Sequence, residues 1–81
     1  MTDKDILETL SRILGILLGT ESMALTLQTR RADVPGWDSF SYVSFIVGVE
    51  SEFRITFRVA DVESFETVGD IVQEIQSAKS W

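Results

Sequence analysis

Three segments of the chain carry the hydrophobic spacing of amphipathic helices. Residues 3–19 repeat apolar side chains at intervals of three and four, which places them in one stripe along a helix. Residues 67–79 show the same spacing over fewer positions. The stripe of the first segment contains Ile6, Leu7, Leu10, Ile13, Leu14, Leu17 and Leu18, and that of the last contains Val68, Ile71, Val72 and Ile75.

Polar residues mark where these two helices begin and end. Thr2 followed by Asp5, and Thr67 followed by Asp70, have the spacing of a capping box, with Asp in place of the usual Glu. Gly19 suits the end of the first helix because glycine readily adopts the left-handed conformation of a C-terminal cap.

The middle helix is predicted over residues 39–53, and it is apolar around most of its circumference. Such a helix has more apolar surface than a single contact with the core can bury, and a small chain cannot bury all of it. We assign one stripe to the core and the other to an exposed face, although the second could instead pack under the preceding loop. The core stripe is Tyr42, Phe45, Ile46, Val49 and Phe53, and the second is Phe40, Val43 and Val47.

The segments between the helices are less regular. Residues 20–38 have no helical period, and the alternation at 25–27 allows a short strand. Alternation at 55–59 is also typical of a strand, but an isolated two-stranded ribbon is only marginally stable. We therefore expect residues 54–66 to form an extended loop, with at most one short helical turn at 60–64. The predicted fold is an all-α bundle of three to four helices with a long loop between the first and second.

Composition limits the function. The 81 residues fit one domain, 1–81, and the net charge of −6 argues against binding nucleic acid or an anionic membrane. The absence of cysteine and histidine removes a thiolate nucleophile, a Ser-His-Asp triad and the usual zinc ligands, so no catalytic or metal site is predicted. No apolar run approaches the length of a membrane span, and no secretory signal precedes the first helix, so we expect a cytoplasmic protein without membrane insertion.

Ser39 is the main candidate for chemistry. Pro35 and Gly36 signal a turn, after which Asp38 or Ser39 suits the N-cap of the middle helix. A capping role alone would explain the serine. Alternatively, its hydroxyl could carry an anionic group, because unpaired amides and the helix dipole favour negative charge there.

The motifs at and after Ser39 resemble those of the acyl carrier protein family. This family has a G-x-D-S-L turn into a helix, an E-x-E-F helix end and a T-V-x-D start of the last helix. The matching segments are residues 36–40 (GWDSF), 49–55 (VESEFRI) and 66–71 (ETVGDI), and the likeness extends over about residues 3–79.

The resemblance implies a carrier protein rather than an enzyme. Ser39 would bear 4′-phosphopantetheine through a phosphodiester, installed by a phosphopantetheinyl transferase, and Asp38 would help that transferase recognise the site. The arm would hold acyl intermediates as thioesters for acyl-transferring and condensing enzymes in fatty-acid, polyketide or related biosynthesis. We expect the carrier protein itself to be a monomer.

Some residues depart from the family pattern. Phe40 replaces the usual leucine, and Ser41 and Ser44 replace acidic residues that meet basic partners, while Glu50 is retained. We therefore expect Phe40, Val43, Val47 and Glu50 to form the partner face, in a specialised rather than a housekeeping carrier. The bulky Phe45, Phe57 and Phe65 could also restrict a cavity for the acyl group.

Three other functions remain open from the sequence. The chain could carry aminoacyl or peptidyl groups, or it could be a helical interaction module without the modification. A small hydrolase using Ser39 would lack an evident base, because the chain has no histidine. The other serines (Ser11, Ser22, Ser51, Ser64, Ser77 and Ser80) lack the turn-to-helix setting, and no role is predicted for Trp81.

Overall fold

The computed structural model describes residues 2–20 and 24–79, and the regular elements in these ranges are all helical. They are α1 (Asp3–Leu18), α2 (Ser39–Phe53), α3 (Val59–Ser64) and α4 (Val68–Lys79), with a short 3₁₀ helix (Arg31–Asp33) in the loop before α2. The predicted all-α fold and its long loop are confirmed. Ser22, Ser80 and Trp81 lie outside the described residues.

The predicted helix caps are present. The Asp5 amide donates to Thr2 Oγ1 at 3.1 Å while the Thr2 amide donates to Asp5 Oδ2 at 3.3 Å, which completes the capping box of α1. Gly19 ends that helix with φ of 73°. Before α4, the Asp70 amide donates to Thr67 Oγ1 at 3.3 Å, and Asp70 Oδ2 accepts from the Thr67 amide at 3.2 Å.

The core forms where α1 packs against α2 and α4. The two helices α1 and α2 approach closely at Gly48, where a Cβ atom would lie 3.3 Å from Cγ2 of Ile13. Four of the five predicted core residues of α2 are buried, and Tyr42 is half-buried. The fully buried large side chains are Phe45, Ile6, Leu10, Leu14, Ile71, Ile75, Val49, Val68 and Val72.

The long loop is attached to the first turn of α4. The Val68 amide donates to the Thr29 carbonyl at 2.8 Å, and the Gly69 amide donates to the Leu27 carbonyl at 2.9 Å. The first amides of a helix have no partner within the helix, so these loop carbonyls satisfy them. The short strand allowed at residues 25–27 is therefore wrong, because the Leu27 carbonyl bonds to a helix end and the Thr26 carbonyl accepts from the Thr29 amide at 3.2 Å in a turn.

The segment after α2 is more helical than predicted. Residues 55–58 form an extended loop, as expected, with Phe57 buried, but α3 has six residues rather than a single short turn. Arg58 favours its start, because Nε of this residue donates to Asp61 Oδ2 at 3.0 Å in the first turn. The Phe57 and Phe65 rings flank α3 and pack edge to face with centroids 5.5 Å apart. This contact joins the two ends of the short helix.

Candidate functional site

Ser39 is the first residue of α2, and its side chain is exposed to solvent. The residue before it, Asp38, is the N-cap, and Asp38 Oδ1 accepts a hydrogen bond from the Ser41 amide at 2.9 Å. The sequence is compatible with either Asp38 or Ser39 as the N-cap, and the structure assigns the cap to Asp38. The Ser39 hydroxyl is therefore not used as the cap.

Two buried side chains hold the loop that leads to Ser39. Val34 is 7% exposed and Trp37 is 5% exposed, whereas Pro35 and Gly36 between them face solvent. The turn needs the left-handed conformation of Gly36, whose φ is 86°. The loop thus enters α2 between anchored apolar residues, which places Ser39 at a defined position on the surface.

Trp37 is a functional neighbour that the sequence did not explain. Its ring packs edge to face on Phe45 with centroids 5.1 Å apart, and it lies 6.2 Å from the ring of Tyr42. Within the described part of the chain, its buried Nε1 atom has no hydrogen-bond partner. An aromatic residue directly before Asp-Ser was the available signal, and the structure shows that it anchors the start of α2 to the core.

The Asp38 carboxylate is held in its charged form. The Ser41 amide that donates to it lowers the pKa of Asp38 below the ordinary value of 3.8, because the hydrogen bond favours the ionised form. A permanent negative charge therefore stands next to Ser39. The carboxylate also occupies the Ser41 amide, one of the first-turn amides that could otherwise stabilise an anion on Ser39.

A surface pocket of about 370 Å³ adjoins the Ser39 side chain. One wall comes from α2 and the other from α3, so we call it the α2–α3 pocket. Apolar side chains contribute most of its lining, and it contains one basic and one acidic residue. The lining residues are Ser39, Tyr42 and Val43 of α2, Val62 and Glu63 of α3, Phe65, and Arg31 of the loop.

Tyr42 connects three sides of the α2–α3 pocket. Its hydroxyl donates to the Val62 carbonyl at 2.7 Å, and the guanidinium carbon of Arg31 lies 4.8 Å from the centre of its ring. Burial raises the pKa of Tyr42 above its ordinary value of 10.0, which keeps the hydroxyl protonated and able to donate. The adjacent Arg30 points elsewhere, towards Glu66 at 4.0 Å.

The second apolar stripe of α2 is on the surface. Phe40 is 81% exposed, Val43 is 58% exposed and Val47 is 59% exposed, so the alternative that this stripe packs under the loop is wrong. Val59, predicted to lie in the extended loop, is instead the first residue of α3 and is a further exposed apolar side chain.

Glu50 has a contact within the protein. Its Oε2 atom accepts a hydrogen bond from the Phe57 amide at 2.7 Å and thereby holds the loop between α2 and α3. The residue is only partly exposed. The partner role predicted for Glu50 would therefore depend on its other carboxylate oxygen.

Comparison with known proteins identifies the family. No protein-family model matches the chain. An acyl carrier protein of Exiguobacterium sibiricum is 31% identical over 77 residues, which is 95% of this chain and 98% of the relative. An acyl carrier protein of Thermotoga maritima is 33% identical over 73 residues, which is 90% of each chain. The chain belongs to the acyl carrier protein family.

The fold agrees with a solved structure of this family. The solution structure of a holo acyl carrier protein from Geobacter metallireducens superimposes with a TM-score of 0.82 and 27% identity, covering 91% of this chain and 85% of that one. The predicted family, the all-α fold and the function of an acyl carrier with covalent 4′-phosphopantetheine are confirmed. A carrier protein, rather than an enzyme, is what these acyl carrier protein relatives support.

The residues at the start of α2 fit this prosthetic group. A phosphodiester needs a hydroxyl that reaches solvent, and Ser39 provides one at a fixed position. The α2–α3 pocket lies directly beside this hydroxyl and offers both apolar and polar lining to a group attached there. Among the described residues, no group of three or more acidic side chains is placed to hold a metal ion, and no helix is long and apolar enough to cross a bilayer.

Proposed function

We propose that this acyl carrier protein bears its 4′-phosphopantetheine arm on the hydroxyl of Ser39. The observation that carries the proposal is the exposed hydroxyl at the first position of α2, next to the α2–α3 pocket. When bound, the group supplies a thiol that holds acyl intermediates as thioesters. The chain positions the acyl group and does not itself catalyse a chemical step, because a tethered cargo has a high effective concentration at each partner enzyme.

The residues around Ser39 prepare it for a phosphopantetheinyl transferase. Asp38 stabilises the first turn of α2, so the hydroxyl is presented from a rigid helix start rather than from a flexible loop. No histidine or cysteine exists in this chain to activate the hydroxyl, so the transferase must supply the base. The exposed Asp38 carboxylate is then available for recognition by that enzyme.

Modification of a serine variant tests the attachment site. The protein is incubated with coenzyme A, magnesium ion and a transferase of broad specificity, and its intact mass is measured. We expect the parent to gain one phosphopantetheinyl group and Ser39→Ala to gain none. Ser51→Ala, which removes another exposed serine of α2, should be modified like the parent. Labelling of Ser39→Ala to the level of the parent would overturn the assignment.

We also propose that Phe40, Val43 and Val47 form the face to which partner enzymes dock. Exposed apolar side chains that lie together on one helix are typical of protein interaction sites. Their position beside Ser39 would bring a docked enzyme close to the arm. Glu50 would add charge at the edge of this face. Ser41 and Ser44 contribute no charge there, so apolar contact should dominate over electrostatic attraction.

Substitutions on α2 and α1 test this face. Val47→Ser should weaken transfer of an acyl group from a partner enzyme, by raising its KM, without changing the far-ultraviolet circular dichroism of the carrier. Ile16→Ser is the matched control, because Ile16 is 71% exposed on a different helix. Equal effects of both substitutions would show that general surface apolarity, rather than this face, governs docking.

The remaining assignments are also proposals. We propose a single carrier domain over residues 1–81 that acts as a cytoplasmic monomer, with acyl-transferring and condensing enzymes as partners. The loss of two acidic residues, replaced by Ser41 and Ser44, supports a specialised pathway over general fatty-acid synthesis. An aminoacyl or peptidyl cargo is the second candidate, and the mass of the group bound in the native cell distinguishes it from an acyl cargo.

A further inference from the structure

The start of α2 already holds one negative charge before any phosphate is attached. The Asp38 carboxylate accepts from the Ser41 amide, so it uses a helix donor that could otherwise stabilise an anion on Ser39. A phosphodiester on Ser39 would add a second negative charge beside the first. A cation near Ser39 would therefore stabilise this second charge beyond what the remaining first-turn amides provide.

Arg31 is the cation in the right place. It lines the α2–α3 pocket together with Ser39, and its guanidinium stacks over the ring of Tyr42. Tyr42 lies three residues after Ser39 and therefore one turn away on the same face of α2. Stacking on the ring limits the conformations of the long arginine side chain and keeps its charge beside Tyr42, in the pocket that Ser39 also lines.

Arg31 forms no ion pair with the residues that the structure describes, whereas its neighbour Arg30 faces Glu66 at 4.0 Å. Glu63 also lines the pocket but belongs to the opposite wall, on α3. A planar guanidinium matches two oxygens of a phosphate, and such charge-assisted hydrogen bonds are stronger than neutral ones.

We propose that Arg31 binds the phosphate of the prosthetic group on Ser39 and thereby holds the arm against the α2–α3 pocket. This inference rests on the proposed attachment at Ser39. Arg31 would then be a positioning residue for the arm. The arm would contact the loop before α2 as well as the two pocket walls formed by α2 and α3. The contact between Arg31 and the phosphate on Ser39 would link that loop to α2 and stabilise the folded protein.

The test compares the apo and holo forms of three proteins: the parent, Arg31→Gln and Arg30→Gln. Arg30→Gln is a matched control, because it removes the same charge from the adjacent residue outside the pocket. We expect attachment of the arm to raise the Tm of the parent and of Arg30→Gln. This rise should be about 1–5 °C larger than the rise that the arm causes in Arg31→Gln. The ³¹P resonance of the phosphodiester should shift with added salt in the parent, and less so in Arg31→Gln.

A conservative variant separates charge from geometry. Arg31→Lys keeps the positive charge but loses the planar fork, so it should recover only part of the Tm gain. Equal gains and identical ³¹P shifts in the parent and Arg31→Gln would overturn the role of Arg31 while leaving the attachment site intact. A parent that accepts no phosphopantetheinyl group would overturn the attachment site and, with it, this inference.

Discussion

The hydroxyl of Tyr42 donates a hydrogen bond to the carbonyl oxygen of Val62 across 2.7 Å and joins α2 to α3. Val62 belongs to the last turn of a six-residue helix, where carbonyl groups lack partners within the helix. The bond therefore satisfies a partly buried acceptor and fixes the two walls of the pocket beside Ser39 relative to each other.

Removal of this hydroxyl should loosen α3. Tyr42→Phe keeps the ring but leaves the Val62 carbonyl without its donor, which we expect to lower the free energy of unfolding by about 1 kcal/mol. Urea unfolding measures the change, and amide hydrogen exchange locates it. Exchange should become faster in α3 and remain unchanged in α1. An unaltered exchange pattern in α3 would contradict the structural role of the bond.

Glu50 should contribute to stability through its bond to the Phe57 amide. Glu50→Ala removes a charged acceptor from a partly buried amide, and we expect a loss of about 1–3 kcal/mol in the free energy of unfolding. Glu52→Ala is the control, because Glu52 is exposed and forms a surface ion pair with Arg12 at 3.3 Å. Such a pair is worth about 0–1 kcal/mol. Similar losses in the two variants would contradict a special role for Glu50.

Gly69 should not tolerate a side chain, because the loop lies too close. A Cβ atom at this position would be 2.7 Å from the Leu27 carbonyl oxygen, so the loop or α4 would have to move. We expect Gly69→Ala to destabilise the protein by about 1–3 kcal/mol, despite the better helix propensity of alanine. In Gly48→Ala the nearest atom is a methyl of Ile13 at 3.3 Å, and this side chain can yield. Its unfolding free energy should change much less.

Three helix-capping carboxylates should make the fold sensitive to acid. Hydrogen bonds from backbone amides lower the pKa of each below 3.8, with Thr2 as the main donor to Asp5, Ser41 to Asp38 and Glu66 to Asp70. A lowered pKa means that the ionised form is favoured in the folded state. The stability contributed by these groups is therefore present above pH 3.8 and is lost as the pH falls through the folded values.

The acid sensitivity can be measured by urea unfolding at decreasing pH. The free energy of unfolding of the parent should fall as the pH drops below 3.8. Asp70→Asn should have a lower free energy of unfolding near neutrality, and this energy should depend less on pH below 3.8. Glu8→Gln serves as the control, because Glu8 is an exposed residue of α1. A profile of Asp70→Asn parallel to that of the parent would contradict the assigned cause.

A related prediction concerns alkaline pH. Burial raises the pKa of Tyr42 above 10.0, so the protonated form is favoured in the folded state. Its contribution is complete below pH 10.0 and is lost as the pH rises through the higher folded value. Ultraviolet titration of the phenolate should show this shift in the parent, and Val62 should show coupled amide changes. Titration of Tyr42 at its ordinary value would contradict the burial and the bond to Val62.

Local pattern predicted the helices well. The α4 stripe is buried as expected. In the α1 stripe, Ile6, Leu10 and Leu14 are buried, Leu7, Ile13 and Leu18 are partly buried, and Leu17 is exposed. The capping pairs formed by Thr2 with Asp5 and Thr67 with Asp70 are both present. These features depend on residues within one turn of each other, so their spacing in the chain is enough to predict them. The exposure of Phe40 followed from the same reasoning, because a small bundle cannot bury two faces of one helix.

Contacts between distant segments were not predictable in this way. Local spacing does not indicate that the Leu27 and Thr29 carbonyls meet the first amides of α4, and the alternation at residues 25–27 favoured a strand instead. The length of α3 depends on packing between Phe57 and Phe65 and on the bond from Tyr42. The contrast between Arg30 and Arg31, adjacent in the chain, depends on which face of the loop each residue occupies.

The amino-acid order alone specified where the three long helices lie, most of the side chains by which α2 and α4 enter the core, and that a serine stands at the start of α2. It could do so because helical periodicity and capping act over a few residues. Folding in three dimensions assigned the cap to Asp38, placed Arg31 over Tyr42, and built the pocket beside Ser39 from α2, α3 and the loop. Those features required side chains far apart in the chain to come together, which local spacing does not encode.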